Sequence, residues 1–292
     1  MVHSALRLLE PYDGKLSSTV LRGQRRSNPP ELPDKHYDNM KETIKFDKVA
    51  DIYDFYVNID FDIPFFLKET EGFIGEILEL MCGTGRVSIP LLETGRTMTC
   101  IDYSKGMLNK LESKIKNKNY HVNLIQMDVT NLSLNKKYGL ILLPFHSITE
   151  IISTDLQIKA LQSISSHLNK DGIFILTLQN PKTRLRFADG NTRVMGKFPI
   201  DEKRQLIISY MNQYNETDKM VSGFQFYEIF DSTNTMIEKR FLEINFKPIY
   251  DSELREMIKT TGLEITDIFG DYSYGKFDDE ISNFMIYKLV KK

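Results

Sequence analysis

Tryptophan is absent from the 292 residues, and cysteine occurs only twice, at Cys82 and Cys100. Two thiols cannot hold a disulfide framework in a chain of this length. Both fall in or beside apolar runs that read as neighbouring strands, so a reducing compartment fits and a cytoplasmic location is expected. No apolar run approaches the roughly 18 residues that cross a bilayer, and the first residues lack a signal peptide's apolar stretch. A basic surplus is missing too. The 38 Lys and Arg against 40 Asp and Glu give a formal net charge of −2, which argues against nucleic acid as the partner. No grouping of His, Cys, Asp and Glu has metal-site spacing, so no metal is expected. What remains is an ordinary globular composition, 41% hydrophobic and 27% charged. It suits one large domain, or one domain with an insertion.

The densest signal is the run Glu79-Leu80-Met81-Cys82-Gly83-Thr84-Gly85-Arg86. Ile74, Ile77, Leu78 and Leu80 lead into it as a buried strand that stops where Gly83 and Gly85 begin. Glycine suits such a turn because backbone approaches a ligand closely there, often with positive φ. A strand, a glycine turn and a helix open a doubly wound α/β sheet, whose ligands bind outside the carboxyl ends of the strands. Asp102 closes the next strand, Met98-Thr99-Cys100-Ile101, 17 residues after Gly85. A carboxylate there can accept both hydroxyls of a ribose. A dinucleotide-binding turn would carry a third glycine where Ser88 stands. It would also put pyrophosphate beside Glu79, which repels it, whereas an ammonium group is attracted. A nucleoside joined to an amino acid satisfies both carboxylates, and S-adenosylmethionine (SAM) is such a molecule.

The run resembles the first motif of class I SAM-dependent methyltransferases, and the following segments extend the likeness. Asp102-Tyr103-Ser104 is similar to that family's ribose-binding acid and the bulky residue that packs on adenine. Met107 stands where a helix start covers the ring's other edge. Gln126-Met127-Asp128-Val129 resembles the motif whose acid accepts from the adenine amino group while adjacent backbone reads the ring. Tyr138 to Leu143 looks like the fourth strand, which ends at the methyl-transfer site. Met81 departs from the pattern, standing where the family usually has the first of three turn glycines. The resemblance implies a Rossmann-like α/β fold with an inserted antiparallel β lid, and the activity of a methyltransferase (EC 2.1.1). SAM would be the cofactor, S-adenosylhomocysteine the product, and Tyr53, Glu79, Cys82, Gly83, Gly85, Asp102, Tyr103, Met107, Met127, Asp128, Val129 and Leu143 the cofactor contacts.

Five regions are expected. Residues 1–38, with Arg22, Arg25 and Arg26 followed by Pro29, Pro30 and Pro33, read as a flexible arm. Within it, Asn28-Pro29-Pro30-Glu31 resembles the Asn-Pro-Pro-aromatic motif of amino-methylating nucleic-acid enzymes. It lacks the aromatic and precedes the glycine turn, so it is set aside. Residues 39–72 carry helical spacing over Glu42 to Tyr56 and Ile63 to Glu69, with Tyr53-Asp54-Phe55-Tyr56 similar to a segment that lies across the cofactor in small-molecule methyltransferases. Residues 73–182 form the SAM-binding core. Residues 183–248 contain three strand-like runs from Gln205, Val221 and Ile237, joined by polar turns into a lid. Tyr210, Phe224, Phe226 and Tyr227 are candidates for its inner face, although alternation sends half elsewhere. Residues 249–292 add a helix and a strand hairpin.

On the acceptor side, His146 follows the fourth strand, where class I enzymes face their substrate. Its ordinary pKa makes it a workable general base, and a locally bonded loop histidine is the other reading. Glu150 stands near the place of a histidine in similar sugar-amine methyltransferases. Tyr56, Phe145, Glu150 and Tyr272 are the expected acceptor contacts. His121 and His167 have no partner pattern and receive no role. The expected function is methyl transfer to N or O of a small molecule by a monomer or homodimer. An RNA- or protein-directed enzyme using the arm, and a SAM-binding module without catalysis, stay open. A nicotinamide oxidoreductase fits the glycine pattern and Glu79 poorly.

Overall fold

The computed structural model describes residues 44–292, so the expected arm lies outside the described residues. Parallel strands β1 (Glu76–Leu80), β2 (Thr97–Asp102), β3 (Val122–Gln126), β4 (Tyr138–Leu143) and β5 (Leu168–Gln179) alternate with helices. A separate antiparallel sheet follows, made of β6 (Asp189–Pro199), β7 (Gln205–Asn215), β8 (Met220–Phe230) and β9 (Met236–Phe246). The chain then returns through β10 (Leu263–Phe269) and β11 (Phe284–Lys291). The main sheet runs β10-β11-β5-β4-β1-β2-β3, with β11 antiparallel to both its neighbours. Strand order reverses between β1 and β4, and ligands of doubly wound sheets bind in the crevice at such a reversal.

The central strands are apolar on both faces because helices cover both. Leu78, Leu80, Ile141, Leu143, Phe174 and Leu176 pack on one side against α5 (Thr154–His167) and α7 (Asp251–Lys259). Ile77, Met98, Cys100, Leu140, Leu142 and Ile175 pack on the other. Their partners are α2 (Ile63–Glu69), α3 (Ser88–Glu93) and α4 (Lys105–Ile115), through Phe65, Phe66, Leu91, Leu108 and Leu111. A third cluster joins the inner face of the antiparallel sheet (Leu206, Ile208, Val221, Tyr227, Leu242) to Val49, Ile52 and Tyr56 of the N-terminal segment. No helix among the described residues is long and apolar enough to cross a membrane.

Several local expectations change. The helix expected to span Glu42 to Tyr56 is, from residue 44 on, a 3₁₀ turn at Phe46–Lys48 and a single turn α1 (Tyr53–Tyr56). Its acids are spent on other elements: Asp47 accepts from Gly106, Asp51 pairs with Arg240, and Asp54 accepts from Thr84. Tertiary contacts hold this segment, and so short a helix is marginal without them. Ile74 is 96% exposed and precedes the strand, which starts after Gly75 at φ +136°. Strand β6 was not anticipated. Two register shifts break its alternation against β7, removing the period-two signal. Strand alternation also sorts the lid aromatics. Tyr227 and its cross-strand neighbours point inward, while Phe224, Phe226 and Phe241 cluster on the far side.

Candidate active site

A cavity of about 270 Å³ opens over the carboxyl ends of the central strands, roofed by β8, β9 and the N-terminal segment. Its first half is built by the turn after β1. Met81, Gly83 and Gly85 have φ of 53°, 58° and 87°. A methionine therefore adopts the backbone usually left to glycine. Gly83 N donates to Asp102 Oδ2 at 2.7 Å, and Ser104 N donates to Oδ1 at 2.8 Å. Both oxygens are thus oriented by backbone, with lone pairs left over. Burial raises the Asp102 pKa despite these amide contacts. Glu79 is 1% exposed and accepts from Ser88 Oγ at 2.5 Å. Burial pushes its carboxyl up to about 8, against the Ser88 hydrogen bond and Arg86.

Arg86 ties this turn to its surroundings. Its guanidinium meets both oxygens of the fully buried Asp62 at 2.5 and 2.7 Å and donates to Ile59 O. It also lies 4.6 Å from the Phe145 ring centroid. Thr84 Oγ donates to Asp54 at 2.5 Å, drawing α1 over the turn.

The second half is built of side chains from distant elements. After β4 the backbone turns through Phe145 and His146, both left-handed at φ 59° and 54°. Thr177 of β5 holds that bend: its Oγ accepts from Phe145 N and its carbonyl from His146 N. Sparsely populated backbone of this kind concentrates at functional sites. The His146 ring lies 4.7 Å from that of Phe145. Burial depresses its pKa well below the ordinary value, helped by Arg184 and Arg86. Glu150 moves the other way, up to about 8, through burial and the Asp102 charge, opposed by Arg184. Arg184 ends the single turn α6 (Pro181–Arg184) beyond β5, hydrogen-bonds Gln179 and stands 4.1 Å over Phe246 of the lid. Overhead, Tyr56 and Tyr227 hydroxyls meet at 3.1 Å, and Tyr227 donates to Gln225 Oε1 at 2.6 Å.

The sequence candidates divide accordingly. Tyr53, Tyr56, Glu79, Cys82, Gly83, Asp102, Tyr103, Met107, Phe145, His146 and Glu150 all line the cavity, Tyr103 being 64% exposed at its mouth. Gly85 lies beneath the turn, where a Cβ would sit 2.3 Å from Leu111 Cδ1, so its smallness serves packing. Leu143 and Val129 are core residues. Met127 N donates to Asp102 O, and Asp128 caps a 3₁₀ turn through Thr130 N. These are beside the cavity rather than in its wall. Tyr272 is displaced from the acceptor side: it packs against Phe61, Phe65 and Phe284 behind the wall. Cys82 and Cys100 are buried free thiols. Sequence reading did not single out Arg86 or Arg184. The first stands inside the quoted motif; the second gives no local signal.

Residues 77–172 match the family described as "Methyltransferase domain". The cypemycin N-terminal methyltransferase of a Streptomyces species is 25% identical over 197 residues, covering 68% of this chain and 76% of its own. The CcbJ methyltransferase of Streptomyces caelestis superposes with a TM-score of 0.72 at 20% identity, covering 86% of this chain and 99% of its own. The sugar N-methyltransferase KedS8 of a Streptoalloteichus species covers 96% of this chain and 100% of its own, with a TM-score of 0.62 at 15% identity.

Proposed function

We propose that this chain, whose residues 77–172 form a methyltransferase domain of class I fold, binds SAM over β1 and β2. The methyl group then goes to a nitrogen or oxygen of a small molecule held over β4 and β5. Asp102 carries the reading: two amides orient both its oxygens toward the cavity wall, an arrangement suited to the vicinal hydroxyls of a ribose. Glu79 supports it independently. A buried carboxyl with its pKa near 8 gains a partner when an ammonium group arrives. When bound, SAM supplies a methyl group on a positively charged sulfur.

The chain's residues do the rest. Tyr103 and Met107 flank the adenine, whose edge turns toward Asp128 beside the cavity. Tyr53 and Tyr56, on α1, close over the cofactor with the lid, which excludes water and fixes the line of nucleophile, methyl and sulfur. Glu150 has the proton affinity for taking a proton from the acceptor near neutral pH. His146, held neutral by burial, orients the acceptor by hydrogen bonding and is a proton acceptor only at low pH. Relatives whose names specify N-terminal and sugar N-methylation support nitrogen as the receiving atom.

Titration calorimetry with SAM, S-adenosylhomocysteine and NADH tests the assignment. Micromolar binding of the first two and none of NADH is expected. Failure of both SAM and S-adenosylhomocysteine to bind overturns it.

A further inference from the structure

Arg86, Arg193, Arg204, Arg240 and Arg255 each meet a carboxylate. Arg184 does not. Among the described residues its guanidinium hydrogen-bonds only the neutral amide of Gln179, with Phe246 against its face. Five donors in a fixed fork are made for a carboxylate or phosphate, and one amide leaves most of them unused. Burial has lowered its pKa to about 10, with the nearby Glu150 charge offsetting only part of that effect. The fork lines the same cavity as Glu150, His146 and Gln225.

Its place in the sheet separates it from the nucleoside. Asp102 ends β2 and Arg184 follows β5, and the order β5-β4-β1-β2 puts three strand spacings between them. At roughly 4.8 Å each, that is about 14 Å. Arg184 therefore belongs to the acceptor half. The cavity also holds Glu79, Asp102 and Glu150. Arg86, the other guanidinium in the lining, is neutralised by Asp62, so an incoming anion meets Arg184, and a monoanion matches it one to one.

Resting on the methyltransferase reading above, we propose that the acceptor is a small amine that also carries a carboxylate, docked on Arg184 with its nitrogen facing Glu150. Glu150 takes a proton from the ammonium. The freed nitrogen lone pair forms the N–C bond while the C–S bond breaks, its electrons going to sulfur. S-adenosylhomocysteine and a methylated ammonium result.

The test uses S-adenosylhomocysteine-loaded protein and four probes: phenylalanine, phenethylamine, phenylacetate and phenyl phosphate, with dissociation constants measured by calorimetry. Phenylalanine should bind at least tenfold more tightly than phenethylamine. Arg184→Gln should erase that margin and leave phenethylamine unchanged, while Arg184→Lys keeps part of it and guards against misfolding. Equal losses for all probes in Arg184→Gln would make the residue a strut for the lid and overturn the proposal. So would the absence of any probe binding, phenyl phosphate outbinding phenylacetate, or a tenfold loss of S-adenosylhomocysteine affinity that assigns Arg184 to the cofactor. A wild-type protein that never loads S-adenosylhomocysteine fails the methyltransferase reading instead.

Discussion

The two halves of the cavity are made differently. Over β1 and β2 the wall is main chain with the carboxylates of Glu79 and Asp102, supplied by a run of some two dozen residues, and amide hydrogen bonds fix Asp102. Over β4 and β5 it is titratable side chains from widely separated positions: His146 and Glu150 after one strand, Arg184 after another, Gln225 and Phe246 from the inserted sheet. The first half is a backbone shape that any sequence with the right turn reproduces. The second is a tertiary assembly whose charges are set by burial, with His146 and Arg184 pushed down and Glu150 pushed up to about 8. A shared ligand over the first half and a private one over the second is what this contrast supports.

The sharpest way to break the contrast is to remove the residue that serves both halves. Arg86 neutralises the buried Asp62 and lies against Phe145. Arg86→Ala leaves that carboxylate buried and unpaired, and the expected loss is about 3–5 kcal/mol in urea denaturation. Arg240→Ala, at the exposed pair with Asp51, should cost less than about 1 kcal/mol. Equal losses would mean that Asp62 finds water or another donor.

The next substitution separates the halves. Asp102→Ala should weaken SAM binding by about 1–3 kcal/mol, the usual loss for hydrogen bonds to a charged group. His146→Ala should lower turnover while leaving SAM affinity within about twofold. If His146→Ala turns over normally, the histidine is a structural part of the bend after β4. If it costs cofactor affinity as well, the halves are coupled more tightly than their construction suggests.

What was legible in the sequence follows the same division. Glu79, Gly83 and Asp102 sit at fixed offsets because one strand, one turn and one strand must place them, and the run of alternating helices and strands gave the doubly wound order. Arg184 was invisible because nothing near it in the chain marks it; only the return of β9 brings Phe246 to its face. Strand β6 escaped for a local reason, two register shifts that scramble its alternation. The N-terminal helix was overread because its apolar spacing is helical while its acids bond to other elements. Tyr272 lies off the cavity because an aromatic in the loop between the last two strands fits a pocket or a core equally well, and packing on Phe65 and Phe284 decides it.

Proton linkage gives a smaller and more gradual effect. Glu79 and Glu150 have folded pKa values near 8, raised from an ordinary 4.5. Between those pH values the folded state holds protons that the unfolded chain has lost. Their contribution is thus fully present below about pH 4.5 and declines as pH rises toward 8, by up to about 1.4 kcal/mol per pH unit for each group. SAM should act on only one of them. Its ammonium stabilises the Glu79 carboxylate, so binding at pH 7 should release a proton, and calorimetry in two buffers of different ionisation enthalpy reads it. Glu79→Gln should abolish that release while Glu150→Gln preserves it. Proton release that survives Glu79→Gln would remove the ammonium from Glu79.

The smallest effect concerns the residue at which this turn departs from the glycine motif it resembles. Met81 holds φ 53° without being glycine and packs partly into the core beside β1. Left-handed backbone costs a non-glycine residue about 1–2 kcal/mol. Met81→Gly relieves that strain. It also frees the unfolded chain by about 0.5–1 kcal/mol and gives up part of a buried side chain worth about 1.5–3 kcal/mol in full. These contributions nearly cancel, so stability should change by less than about 1 kcal/mol in either direction, and SAM affinity should stay within about twofold. Met81→Val is the discriminating partner, because a β-branched residue tolerates this φ worst and replaces most of the packing. It should be clearly destabilising where Met81→Gly is not. If instead glycine is the costly substitution and valine the mild one, the methionine side chain, rather than the backbone it strains, maintains the turn, and the first half of the cavity depends on side-chain packing as much as the second.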